Sequence, residues 1–139
     1  TQDELLHLEV DVLIPAALSD AITEKSALGI KAKIVVEGAN APTTPAGDRI
    51  LIDKGILTVP DILANSGGVI VSYFEWVQDK QNYYWSAEEV KSNLNEIMMR
   101  SFKEVENTAT AKKVSWREAA HMIGVGRVAE AHKLRGLYP

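Results

Sequence analysis

The 139-residue chain has no cysteine. That absence removes disulfides, thiol nucleophiles and thiolate metal sites together. It also lacks any apolar run long enough to span a bilayer, and its N-terminus has no signal-peptide pattern, so the cytosol is the default compartment. Charge of one sign is scarce as well: the formal net charge is -4, and the densest basic cluster, Lys112-Lys113, is two residues long. A nucleic-acid footprint needs a basic stripe or patch, so nucleic acid is not an expected partner. No carboxylate pair and no His-x-x-x-His spacing points to a metal, and His7, His121 and His132 lie far apart within helical patterns, where surface or packing roles are expected. Internal repeats and low-complexity linkers are absent too.

What remains is 46% hydrophobic and 24% charged, the balance of one soluble globular domain with a core to bury. Because the chain opens with Thr1 rather than Met, an excised piece of a longer protein is expected. Three short apolar, β-branched runs read as strands: Val10 to Ile14, closed by Pro15; Lys33 to Glu37, closed by Gly38; and Ile56 to Val59, closed by Pro60. Between the second and third, Thr44-Pro45 starts a helix that ends at Gly55. Near-continuous apolar strands separated by helix-length segments predict a parallel α/β sheet covered on both faces.

Past Gly67 only helices are expected. One runs from about Gly67 to Lys80, a second is opened by the capping box Ser86 to Glu89, and a third by Ser115 to Glu118 and continues to Arg135. Thr1 to Glu4 is a further box of the same kind. The second helix carries Val90, Leu94, Ile97, Met98, Phe102 and Val105 at helical spacing.

In a parallel sheet, ligands bind beyond the carboxyl ends of the strands. Those ends here are Pro15-Ala16-Ala17, Glu37-Gly38-Ala39-Asn40, and Pro60 to Asn65, so small residues and carboxamides converge on one edge. A carboxamide offers both a donor and an acceptor. If a helix begins near Ser66, then Asn65, Gly68 and Ser72 form one stripe, with the helix N-terminus able to attract an anion. Plainer readings stand beside these. Asn65 caps the helix, Gly67-Gly68 allows close packing, Ser72 bonds its own backbone, Asn40 is a turn residue, and Glu37 is an ion-pair partner rather than a base, the reading preferred for it. Pattern alone reaches an α/β ligand-binding half-domain.

The blocks VDVLIPAAL, KIVVEGANAPTTP, VPDILANSGGVIVSYFEWVQ and VAEAHKLRG carry the reading further. Over nearly the whole chain they resemble the amino-acid dehydrogenases that act on Glu, Leu, Phe and Val, glutamate dehydrogenase above all. The resemblance implies the C-terminal half of a Rossmann-like doubly wound parallel sheet followed by C-terminal helices: one partial NAD(P)-binding domain over 1–139, with a βαβ-type part to residue 65 and a helical part from 66. It implies oxidative deamination of L-glutamate to 2-oxoglutarate and ammonia, with NAD or NADP as cofactor. Asn40 matches the family residue near the nicotinamide and its ribose, and Asn65 the one at the junction of cofactor and substrate. Ser72 matches the serine that binds the substrate's side-chain carboxylate, while Pro15, Ala16 and Ala17 match the loop beside the cofactor.

No G-x-G-x-x-G follows a strand, and the pair Gly124 and Gly126 falls inside the last helix. The family's catalytic lysine and aspartate belong to a substrate domain with no counterpart here, so the chain carries no catalytic residue and by itself is expected to be inactive. Ser66, Gly47, Gly124 and Gly126 depart from the residues expected at their positions. For a full-length parent the resemblance implies a homo-hexamer; for this chain alone, the open side of the Val10 to Ile14 strand, with Leu13 expected to face solvent or a partner, predicts a dimer or aggregation. The competing reading is a non-catalytic, self-associating α/β binding or structural module.

Overall fold

Short β-branched runs pair side by side in the computed structural model, which describes residues 1–136. Strands β1 (Val12–Leu13), β2 (Ile34–Val36) and β3 (Leu57–Val59) form a parallel sheet in the order β1-β2-β3. Leu13 stands opposite Val35 and Val35 opposite Thr58, so these three share one face. Around the sheet lie α1 (Gln2–Leu6), α2 (Glu24–Gly29), α3 (Pro45–Asp53), α4 (Asp61–Ala64), α5 (Gly67–Gln81), α6 (Ala87–Lys112) and α7 (Trp116–Arg135).

Both crossover helices cover the same face. Ala27 of α2 and Leu51 of α3 pack with Leu13, Val35, Ile22, Ile30 and Ile56 in one core cluster. Burying a side chain such as Ile22, Ile30 or Leu51, each under 2% exposed, contributes roughly 1.5–3 kcal/mol. Helix α3 starts as its sequence dictates: the Thr44 hydroxyl accepts from the Gly47 N–H at 3.1 Å, and Pro45 takes the position where a missing N–H costs nothing. It stops at Lys54, followed by Gly55 at φ +70°. The Lys54 ammonium donates to the carbonyls of Ala27, Leu28 and Ile30, closing the C-terminus of α2. A Cβ on Gly47 would stand 2.7 Å from the Ile22 carbonyl oxygen, so close packing accounts for this departure from the expected residue.

The opposite face differs from expectation. Val12, Ile14 and Leu57 are exposed there, and only Val59 packs into a second cluster, built from Leu63, Val105, Ala109, Ala119 and Ala120. That cluster closes the α6–α7 hairpin against the end of the sheet, with Phe102 edge-on to Trp116 at 5.0 Å. The sheet is therefore covered on both faces only near β3. Leu13 itself is buried, and Val12 and Ile14 alternate with it toward solvent.

The expected capping boxes are all present, at Thr1, Ser86 and Ser115. An unexpected one, made by Thr23 with Ser26, starts α2. Between α5 and α6 the buried Gln78 accepts from the Trp85 N–H at 2.7 Å and donates to the Phe74 carbonyl at 3.1 Å, which holds the aromatic link in place. Among the described residues no helix is long and apolar enough to cross a membrane.

Candidate functional site

The carboxyl ends of β1 and β2 are tied together by backbone. The Pro15 carbonyl accepts from the N–H groups of Gly38 and Ala39, at 3.1 and 2.9 Å. A Cβ on Gly38 would lie 3.1 Å from the Ala16 Cβ, so glycine lets the two loops meet. Beyond them opens a groove of about 780 Å³ lined by Ala17, Leu18, Gly38, Asn40, Asn65 and Val69, among others.

Two carboxamides meet at this groove. The Asn65 amide donates to the Asn40 side-chain carbonyl at 2.7 Å and lies 3.4 Å from the Gly38 carbonyl. Asn65 sits in the turn between α4 and α5, and the N-cap position of α5 belongs to Ser66, whose hydroxyl goes instead to the Leu63 carbonyl. Its side chain therefore bridges two strand-end loops and caps no helix. The shared bond leaves the Asn40 amide and the Asn65 carbonyl, one donor and one acceptor, for a ligand.

Of the sequence-predicted residues, Ala17, Asn40 and Asn65 line the groove, while Pro15 and Ala16 lie outside its lining and hold the Gly38-Ala39 loop that borders it. Ser72 lies outside the lining, exposed on α5. Its hydroxyl makes no hydrogen bond among the described residues, whereas Thr110 bonds the carbonyl one turn back at 2.9 Å. Nothing stands within 4 Å of a Cβ built on Gly68, so close packing does not account for that glycine. Val69 takes the lining place that the polar stripe assigned to Gly68.

Beneath the carboxamides lies a charge network whose partners the sequence did not reveal. Glu37 is fully buried. Arg117, from α7, donates to it at 2.6 Å and to Asp48 at 3.1 Å, and comes within 3.8 Å of Asp61. Burial by itself lowers the Arg117 pKa, but the hydrogen bonds and charges of Glu37 and Asp48 outweigh it and hold the guanidinium above its ordinary value. Glu37 is thus an ion-pair partner, as preferred from sequence. Arg117 stands 80 residues away along the chain, and no local pattern marks it. His7 packs near α2, its ring nitrogen 3.1 Å from the Ser26 carbonyl. Among the described residues no cluster of three or more His, Cys, Asp or Glu is placed to hold a metal.

The pattern of the Glutamate/Leucine/Phenylalanine/Valine dehydrogenase family matches residues 1–136. The cryptic catabolic NAD-specific glutamate dehydrogenase GudB of Bacillus subtilis is 52% identical over 136 residues, which are 98% of this chain and 32% of the relative. A glutamate dehydrogenase of Thermotoga maritima is 53% identical over 139 residues, 100% of this chain and 33% of the relative. Among solved structures, the hetero-hexameric glutamate dehydrogenase of Thermus thermophilus in its Leu-bound form superposes with a TM-score of 0.95 at 37% identity, over 100% of this chain and 33% of that one. The chain thus spans about a third of the length of these relatives.

Proposed function

The chain belongs to the Glutamate/Leucine/Phenylalanine/Valine dehydrogenase family, and from that premise we propose that it supplies part of the cofactor and substrate site of a glutamate dehydrogenase. The reaction is oxidative deamination of L-glutamate to 2-oxoglutarate and ammonia, with NAD or NADP as oxidant. Residues 1–139 form one partial dinucleotide-binding domain, βαβ-type to residue 65 and helical from 66, whose three strands are the C-terminal half of a doubly wound sheet. In support, the strand order advances in one direction with both crossovers on one face, as in half of such a sheet.

The observation that carries the reading is the Asn40–Asn65 pair. Its outward donor and acceptor complement a nicotinamide carboxamide, which offers one of each. A bound nicotinamide supplies the hydride acceptor. Asn40 and Asn65 orient its ring edge, Ala17 and Gly38 let it approach the backbone, and Pro15 and Ala16 fix the loop below. Ser72, exposed two turns along α5 from Asn65, is assigned the far carboxylate of glutamate; its exposure and helical spacing from Asn65 support that reading. The residues that move protons lie outside this chain, so its own contribution is orientation.

The test is reduction of NAD and NADP by the intact polypeptide carrying this chain, with L-glutamate compared with Leu, Phe and Val. Glutamate-dependent formation of reduced cofactor, weakened by Asn65→Ala, is expected; reduction with the other amino acids but not with glutamate would overturn the substrate assignment. The 139 residues expressed by themselves should form no reduced cofactor, since a missing acid-base group typically costs about 10²–10⁴-fold.

A further inference from the structure

Orientation by Asn40 and Asn65 leaves the most deeply buried charge unused. Each Glu37 oxygen has its own donor: Oε1 accepts from Arg117 at 2.6 Å, and Oε2 accepts from the Asp61 N–H at 2.9 Å. Asp61 passes the constraint on. Its Oδ2 accepts from the Ala41 N–H at 2.7 Å, and its Oδ1 accepts from Ile62 N–H at 2.8 Å while facing Arg117.

Ala41 is the strained member of this chain of bonds. Its φ is +46°, a left-handed conformation that alanine rarely adopts. Two anchors hold it there: its N–H goes to Asp61, and its carbonyl accepts from Asp20 N–H at 3.0 Å. Ala41 directly follows Asn40, so the backbone that aims the Asn40 carboxamide is the backbone held out of its preferred basin. Asp61 also opens α4, whose far end delivers Asn65.

We propose that Arg117 is a positioning residue for the two carboxamides. From α7, without lining the groove, it orients Glu37 and Asp61, and these hold the Asn40–Ala41 turn and the start of α4 at the spacing that lets Asn40 and Asn65 face a ligand together. Three carboxylates converge on the one guanidinium, and two of them also accept backbone N–H groups of the loops beneath the groove. An ion pair serving only to join α7 to the sheet needs no such bonds. Lysine keeps the charge but not the planar guanidinium, whose Nη2 bonds Glu37 and Asp48 while its Nη1 faces Asp61.

The inference rests on the nicotinamide reading for its ligand, and two measurements separate the two. In the intact polypeptide carrying this chain, the Kd for NADH and NADPH is followed by fluorescence titration in wild type, Arg117→Lys, Asn40→Ala and the double variant. Arg117→Lys should weaken binding about tenfold in the wild-type background and less than about twofold where Asn40 is already Ala, the coupling expected of residues acting through one another. Equal losses in both backgrounds would show a merely structural ion pair and overturn the proposal. Should Arg117→Lys fail to fold, Asp61→Asn, which keeps shape and an acceptor for Ala41, takes its place in the same cycle. If neither nucleotide binds the wild type, the functional reading fails, and amide hydrogen exchange decides the latch: faster exchange at Ala41 in Arg117→Lys with unchanged melting temperature supports it, and unchanged exchange sinks it.

Discussion

At the residue scale, the carboxamides were legible and their partners were not. Asn40 and Asn65 each follow a strand by a few residues, and parallel sheets gather such positions at one edge, so their convergence follows from topology. The choice between a capping Asn65 and a bridging Asn65 needed the 25-residue separation to be folded up first. Arg117 is the sharper case. Within the sequence it sits inside a capping box, Ser115 to Glu118, whose local logic explains every neighbour without it. Its role depends on a buried acid 80 residues earlier, a contact no periodicity encodes. Ser72 lies between these cases: helical spacing put it two turns from Asn65, and the structure leaves its hydroxyl exposed and without a hydrogen-bond partner among the described residues. In the intact polypeptide, Ser72→Ala should therefore lower kcat/KM for glutamate about tenfold or more and leave norvaline, which has no γ-carboxylate, nearly unchanged, since a hydrogen bond to a charged group contributes roughly 1.5–3 kcal/mol. Equal losses for both substrates would remove Ser72 from the site.

At the scale of elements, helix starts were readable because their chemistry is local. Ser115 accepts from the Glu118 N–H at 3.2 Å while Glu118 accepts from the Ser115 N–H at 2.8 Å, a reciprocal pair written within four residues. The cap of α2 escaped because Ser26 stands in place of the Glu or Gln that marks such a box. Hydrogen bonds from the Ser115 backbone and hydroxyl hold the Glu118 carboxyl below its ordinary 4.5. A carboxylate whose folded pKa is depressed adds stability above its unfolded pKa and loses it as pH falls through the folded value. Wild type should thus melt above Glu118→Gln at neutral pH, and the difference should shrink as pH drops below about 4.5, read from thermal melts by circular dichroism. A pH-independent difference would mean that the box works without its charge. The same helix α7 carries Gly124 and Gly126, and a Cβ on either would meet nothing within 4 Å. Glycine in a helix interior costs about 1 kcal/mol relative to alanine. Gly126→Ala should accordingly raise the melting temperature, by about 3–5 °C for a chain of this size; an unchanged or lower value would show that this turn of α7 needs the glycine for something the fold does not display.

At the scale of the whole molecule, the parallel sheet was legible and the phase of its first strand was not. A parallel strand that reads as a continuous apolar run carries no alternation to say which residues turn inward. Leu13, expected to face solvent or a partner, is buried opposite Val35, while Val12 and Ile14 are 47% and 59% exposed on the other face. That face is apolar, and among the described residues β1 is paired on one side only, to β2. Both features favour association of the 139 residues expressed by themselves, because pairing at a free strand edge satisfies backbone groups as it buries Val and Ile. The nearby charges oppose this weakly: Asp11 is matched by Lys33 at 2.6 Å, both largely exposed. Static light scattering should then give a mass that rises with concentration above the 15.2 kDa of one chain. Val12→Lys should suppress that rise with little change in melting temperature, since the residue has few neighbours to lose. Leu13→Lys should instead unfold the chain, because it places an ammonium among Leu6, Ile22 and Val35. Val125 and Val128 on α7, 67% and 64% exposed, are the rival surface, so Val125→Lys tells the two apart. If Val125→Lys abolishes association and Val12→Lys does not, the contact runs through α7 and the free strand is protected by its own shortness, two residues being too few to template a partner.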